Sequence, residues 1–278
     1  MNQIRLTIAK RIEAYELPAG WEEVPSHAWE SLMPWLLSPD NGYNRTMILC
    51  QLLVSKRKGK RIDPRRLKSL DPVQVQRVAD LLDWVYQDPV IAPPFEKIAL
   101  EGVDYLLPNE MLSHISLIEY AYVDFCFNQY LEAAKSKEPE GAQEWLTKIV
   151  CYLCRPEAET LDRMNPATFK GDPREQFNTA VCDQRLPQFD SLPNTVKLAV
   201  LMFFAGCKKK IHELYQHIWP KPTETGGLPI GAKSAKPQEW IDLCFHLAGG
   251  KFGTLSQTMY TDLSLVLHEL SLQTEKAA

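Results

Sequence analysis

Phe95-Glu96-Lys97-Ile98-Ala99-Leu100-Glu101-Gly102-Val103-Asp104-Tyr105-Leu106-Leu107 and the run that follows it decide how this chain is read. Ile98 and Leu100 alternate with polar or small neighbours, Glu101-Gly102 can turn, and Val103, Tyr105 and Leu107 alternate again. A period of two broken by a turn predicts a β-hairpin over residues 95–107. The period then changes. Met111, Ile115, Ile118, Tyr122 and Phe125 step by three and four, which predicts a long amphipathic helix from about Asn109 to Ala134.

Helical spacing dominates on both sides of this pair. Upstream, Ile4, Leu6 and Ile8 alternate and suggest a short N-terminal strand, after which turn chemistry takes over through Leu17-Pro18-Ala19-Gly20. Ser26 is positioned to cap a short helix bearing Trp29, Leu32, Leu36 and Leu37, with Pro34 a potential kink, and a second helix is expected over Arg45–Val54. Asp71 and Gln74 around Pro72 form a capping-box pattern for a helix carrying Val75, Val78, Leu82 and Val85. Downstream, helices are expected near Ala142–Cys154, Pro193–Ile218, Pro237–Leu247 and Leu255–Leu270, the last opened by Thr254 and Gln257. The fold class expected is therefore mainly α, a multi-helix, bundle-like globular protein with one small hairpin. The polar stretch Lys135–Gly141, with Pro139, is the expected boundary between an N-terminal region, 1–135, and a C-terminal region, 142–278, unless the two form one continuous domain. Pro220–Lys236, rich in glycine and proline, reads as a long loop, either mobile or draped over the surface.

Composition narrows the class. The chain has 278 residues, 45% of them apolar, which is enough for a real core, and its formal net charge of −4 is ordinary for a soluble protein. The longest apolar run, Leu198–Cys207, is about half the roughly 20 residues that a bilayer crossing requires, so no membrane association is expected. Met1–Ile8 lacks the continuous hydrophobic segment of a signal peptide, which points to the cytoplasm. Seven cysteines, scattered through apolar helical stretches, read as reduced core residues.

Few motifs point to chemistry. Cys151-Tyr152-Leu153-Cys154 has the CxxC spacing of a zinc or redox pair, but no second ligand pair accompanies it, and the apolar surroundings favour buried helical thiols. His212 and His217 resemble a zincin pair but stand five apart, where sharing a helical face toward one metal needs four, so the alternative is a solvated helix end with a cationic histidine. No dinucleotide, P-loop or nucleophile-elbow pattern occurs, and no close carboxylate pair suggests a tuned acid and base. Neither a catalytic residue nor a metal or cofactor site is nominated, and the chain is not expected to be an enzyme.

Two clusters point to binding. Lys56, Arg57, Lys58, Lys60, Arg61, Arg65, Arg66 and Lys68 form a basic patch without interleaved aromatics, which reads as a solvated loop ahead of a nucleic-acid contact. Trp21, Trp29 and Trp35 are candidate partner-contact residues, although tryptophans in helical proteins mostly pack the core. A third cluster is structural. Arg155 and Arg174 flank a polar segment holding Asp172 and Glu175, and bidentate arginine pairing across it predicts an arginine–carboxylate lock.

Several motifs together carry a resemblance: Leu17-Pro18-x-x-Trp21-x-Glu23, the hairpin with its long helix, Leu153-Cys154-Arg155-Pro156, Gly171-Asp172-Pro173-Arg174-Glu175-x-Phe177-Asn178, and Leu247-Ala248-Gly249-x-x-Phe252-Gly253-Thr254. Their order over most of the chain resembles helical tail-associated proteins of tailed phages and prophages, similar to the tail-assembly-chaperone class. Cys154 stands where an aromatic is expected and Pro173 where an aliphatic is expected, and both depart from that pattern. The resemblance implies a non-catalytic factor in the bacterial host cytoplasm that binds a helical tail protein, such as the tape measure, before the tube polymerises. A virion structural or adaptor protein is the alternative. A metal- or nucleic-acid-dependent enzyme would need Cys151, Cys154 and a histidine to converge, or the basic patch to line a groove beside carboxylates.

Overall fold

A computed structural model describes residues 1–8, 11–38, 42–56, 59–67, 69–136, 139–159, 171–216, 218 and 237–277. Among them are twelve α-helices and two small antiparallel three-stranded sheets, so the protein is mainly α. The chain divides into two compact units, residues 1–94 with 193–206, and residues 95–192 with 207–278. The expected boundary at Lys135–Gly141 falls inside the second of these. No helix among the described residues is long and apolar enough to cross a membrane.

In the first unit, β1 (Asn2–Ile8) buries Ile4, Leu6 and Ile8, as alternation predicts. The expected turn region beyond it instead begins with a second strand, β2 (Arg11–Leu17), paired in register from Asn2↔Leu17 to Ile8↔Arg11. Its pattern is obscured because a charged residue sits opposite buried Leu6. That residue is Glu13, whose carboxylate accepts from Tyr15 Oη at 2.8 Å and Arg66 Nη1 at 3.0 Å, while Ile12 faces solvent. Helices α1 (Trp29–Leu36) and α2 (Gly42–Leu52) follow, then β3 (Val54–Ser55), which completes the sheet against β2. Ser26 does not cap α1; it opens a 3₁₀ turn, Ser26–Ala28, that leads into it. Beyond α3 (Pro64–Leu67), α4 (Pro72–Asp80) is capped by Asp71, whose carboxylate accepts from Val73 N at 2.7 Å. The apolar stripe continues past its end onto α5 (Trp84–Gln87), with Val78, Leu82 and Val85 all buried.

In the second unit, β4 (Lys97–Leu100) and β5 (Val103–Leu106) form the hairpin with Ile98 opposite Tyr105. Glu101 and Gly102 both take positive φ, 50° and 84°, as a two-residue primed turn requires. The long helix, α6 (Leu117–Ser136), starts eight residues later than its periodicity suggests. Before it Met111, Leu112 and His114 adopt left-handed backbone, and the Leu117 N–H donates to Thr261 O while Ile115 O accepts from Leu263 N. This strand-like bridge also splits the expected helix over Leu255–Leu270. Long-range backbone pairing takes the hydrogen bonds that helix propagation would use on both segments.

Helix α7 (Pro139–Leu153) packs back along α6, and β6 (Arg155–Pro156) joins β5 as the third strand. The sequence reading missed α8 (Thr179–Asp190), which packs on α7 and opens with Asn178 Oδ1 accepting from Ala180 N at 3.0 Å. Its polar composition and internal Pro187 mask the periodicity. Helix α9 (Asn194–Leu214) has residues in both units; α10 (Pro237–Leu247), α11 (Leu255–Met259) and α12 (Leu263–Ala277) each contact α6. Thr254 and Gln257 make the predicted capping box. The loop expected over Pro220–Lys236 lies outside the described residues.

Candidate functional site

The densest constellation of ionisable groups forms where α6, β6 and the segment before α8 meet. Glu119 lies in the first turn of α6 among buried Leu117, Ile118, Tyr120 and Ala121, so its carboxylate is carried into the core. Arg155 opens β6, one residue beyond the end of α7. Arg174 lies on a stretch that pairs with β6 and the chain just beyond it, through Ala158 N to Pro173 O at 2.8 Å and Glu175 N to Pro156 O at 2.9 Å.

Two guanidiniums and two carboxylates interlock here. Arg174 grips Asp172 with Nε to Oδ1 at 2.9 Å and Nη2 to Oδ2 at 2.7 Å, and donates from Nη1 to Glu119 Oε1 at 3.0 Å and to Leu153 O at 2.6 Å. Arg155 donates from Nη2 to Glu119 Oε2 at 2.7 Å and Asp172 Oδ2 at 3.2 Å, and from Nη1 to Glu175 O at 2.6 Å. Both arginine side chains and Glu119 are at most 2% exposed, and Asp172 is 19% exposed. Charges taken this far from water need mutual neutralisation, and two of each sign provide it.

The electrostatics follow from burial against pairing. For Glu119, burial is the larger influence and lifts its carboxyl above the usual range against the pull of Arg155 and Arg174. Burial acts the same way on Asp172, but the two guanidiniums outweigh it and hold that carboxyl below its ordinary value. Burial disfavours the charged form of Arg174 as well, and there Glu119 and Asp172 prevail, so its guanidinium holds its proton more firmly than a free one. Each of the two guanidiniums and two carboxylates is hydrogen-bonded within the cluster.

Of the four residues predicted to form a lock, Arg155, Asp172 and Arg174 come together. The Glu175 side chain does not join them; it pairs with Arg185 of α8, at 3.0 Å between Oε2 and Nη2, and only its carbonyl reaches Arg155. Glu119 takes the central place. A lone carboxylate inside Ile115-Ser116-Leu117-Ile118-Glu119-Tyr120-Ala121-Tyr122-Val123 was the signal for it, because a charge there must meet a buried cation.

The remaining candidates separate. Trp21 and Trp29 are buried and stack at 5.3 Å, with Trp84 edge-on to Trp21 at 4.9 Å, so they are core. Trp35 is half-buried and lies edge-on to Tyr43 at 5.8 Å. Tyr43 is 63% exposed and Leu37 56%. The basic patch is partly drawn inward: Arg66 pairs with Glu13, Lys56 lies 3.9 Å from Glu16, and Arg61 donates to Gln51 and Ser31. Lys60 and Arg65 face solvent, while Arg57, Lys58 and Lys68 lie outside the described residues.

All seven cysteines are buried free thiols. Burial pushes Cys154 up to about 12 against the pull of the two arginines, and Cys151, whose thiol donates to Cys182 O at 3.1 Å, is pushed higher still. Among the described residues no group of three or more histidine, cysteine or acidic side chains is arranged to hold a metal. His212 is not the solvated cation expected. Burial, with Lys208 adding to it against Asp124, lowers its pKa to about 4, so it is neutral at pH 7; His217 lies outside the described residues. No family model, curated protein or solved structure matches the chain.

Proposed function

We propose that this protein is a non-catalytic, protein-binding factor that shields a helical phage tail component, such as the tape measure, during assembly in the host cytoplasm. The single observation that carries the binding reading is the aromatic pair of Trp35, at the end of α1, and exposed Tyr43, at the start of α2, with Leu37 exposed in the same segment. Exposed Tyr43 lies edge-on to half-buried Trp35, and Leu37 at the end of α1 is exposed as well; large apolar side chains left in solvent are characteristic of contact surfaces, and an aromatic pair is a suitable anchor for the apolar stripe of a partner helix. The non-catalytic reading is supported by the buried cluster, whose charged groups are engaged with each other. The assignment to a phage tail rests on the motif resemblance, from Leu17-Pro18 to Gly253-Thr254.

The test is co-expression of the full chain with a phage tape-measure protein. The tail protein is expected to stay soluble and co-purify with the wild type, and to be lost with the double variant Leu37→Ser/Tyr43→Ser at unchanged melting temperature. Retention by the double variant would move the contact elsewhere. No complex with the wild type would overturn the reading. Detection of the chain in purified virions would favour a structural or adaptor protein of the particle.

A further inference from the structure

We draw no further inference here: the strongest candidate, the Asp124–Lys208–His212 side-chain cluster where α6 meets the end of α9, is distinguished only by the lowered titration of His212, and no cavity, hinge or interface described beside it gives that property a consequence.

Discussion

Replacing Arg174 with methionine tests whether the buried cluster holds the second unit together. The substitution keeps an unbranched, apolar stem but removes the paired hydrogen bonds to Asp172, the bond to Glu119 at 3.0 Å and the bond to Leu153 O at 2.6 Å. Glu119 is left with Arg155 alone, and a cluster with two charges of each sign acquires a net buried negative charge. Breaking a buried pair from one side costs about 3–5 kcal/mol, a large share of the roughly 5–15 kcal/mol by which domains are stable. At roughly 2–4 °C per kcal/mol, the melting temperature should fall by about 6–20 °C. Glu119→Leu/Arg174→Met should lose less than Arg174→Met alone, because Arg155 and Asp172 remain as a neutral pair and only Leu153 O is orphaned, at about 1–3 kcal/mol. Urea unfolding followed by circular dichroism gives each value. A loss within about 0.5 kcal/mol of zero for Arg174→Met, or a double variant as costly as the two singles summed, would refute the reasoning.

Acid should weaken the fold through His212. Its folded pKa of about 4 lies below the unfolded value of about 6.5, so its contribution is complete above pH 6.5 and is lost as pH falls toward 4. The loss is about 1–2 kcal/mol after discounting for partial exposure, and urea midpoints at pH 7.5 and 5 should converge in His212→Gln; an unchanged slope would remove the histidine from the account. Gly206→Ala should cost roughly 1–3 kcal/mol or more, since the added methyl would run into the Val90 backbone, whereas Gly102→Ala has open space and should cost only about 1 kcal/mol for its positive φ. Equal losses in thermal melts would contradict the contrast. The seven buried thiols should react slowly with a disulfide reagent in native buffer and fully in 8 M-range urea, because burial raises Cys50, Cys182 and Cys244 to about 11 and Cys126, Cys154 and Cys207 to about 12. A fast native phase would show an accessible thiolate.

Sequence alone determined the elements whose signals are local. The Glu101-Gly102 hairpin, the caps at Asp71 and Thr254, the helix Pro237–Leu247 and the inward face of β1 all follow from side-chain period or from hydrogen bonds spanning a few residues. Sequence also brought Arg155, Asp172 and Arg174 forward as partners, since their polar stretch is short and charged. Only the tertiary structure decided the rest. Glu119 joins them from 36 residues before Arg155, a distance that no local pattern spans. The late start of α6 and the break between α11 and α12 arise from one backbone pairing between Ile115–Leu117 and Thr261–Leu263, and inward Glu13 in the strand at Arg11–Leu17 is met by Tyr15 and by Arg66 from a distant segment. The division between Trp21 and Trp29 in the core and half-buried Trp35 is of the same kind: residue type states what burial would contribute, while the neighbours that supply it come from other elements.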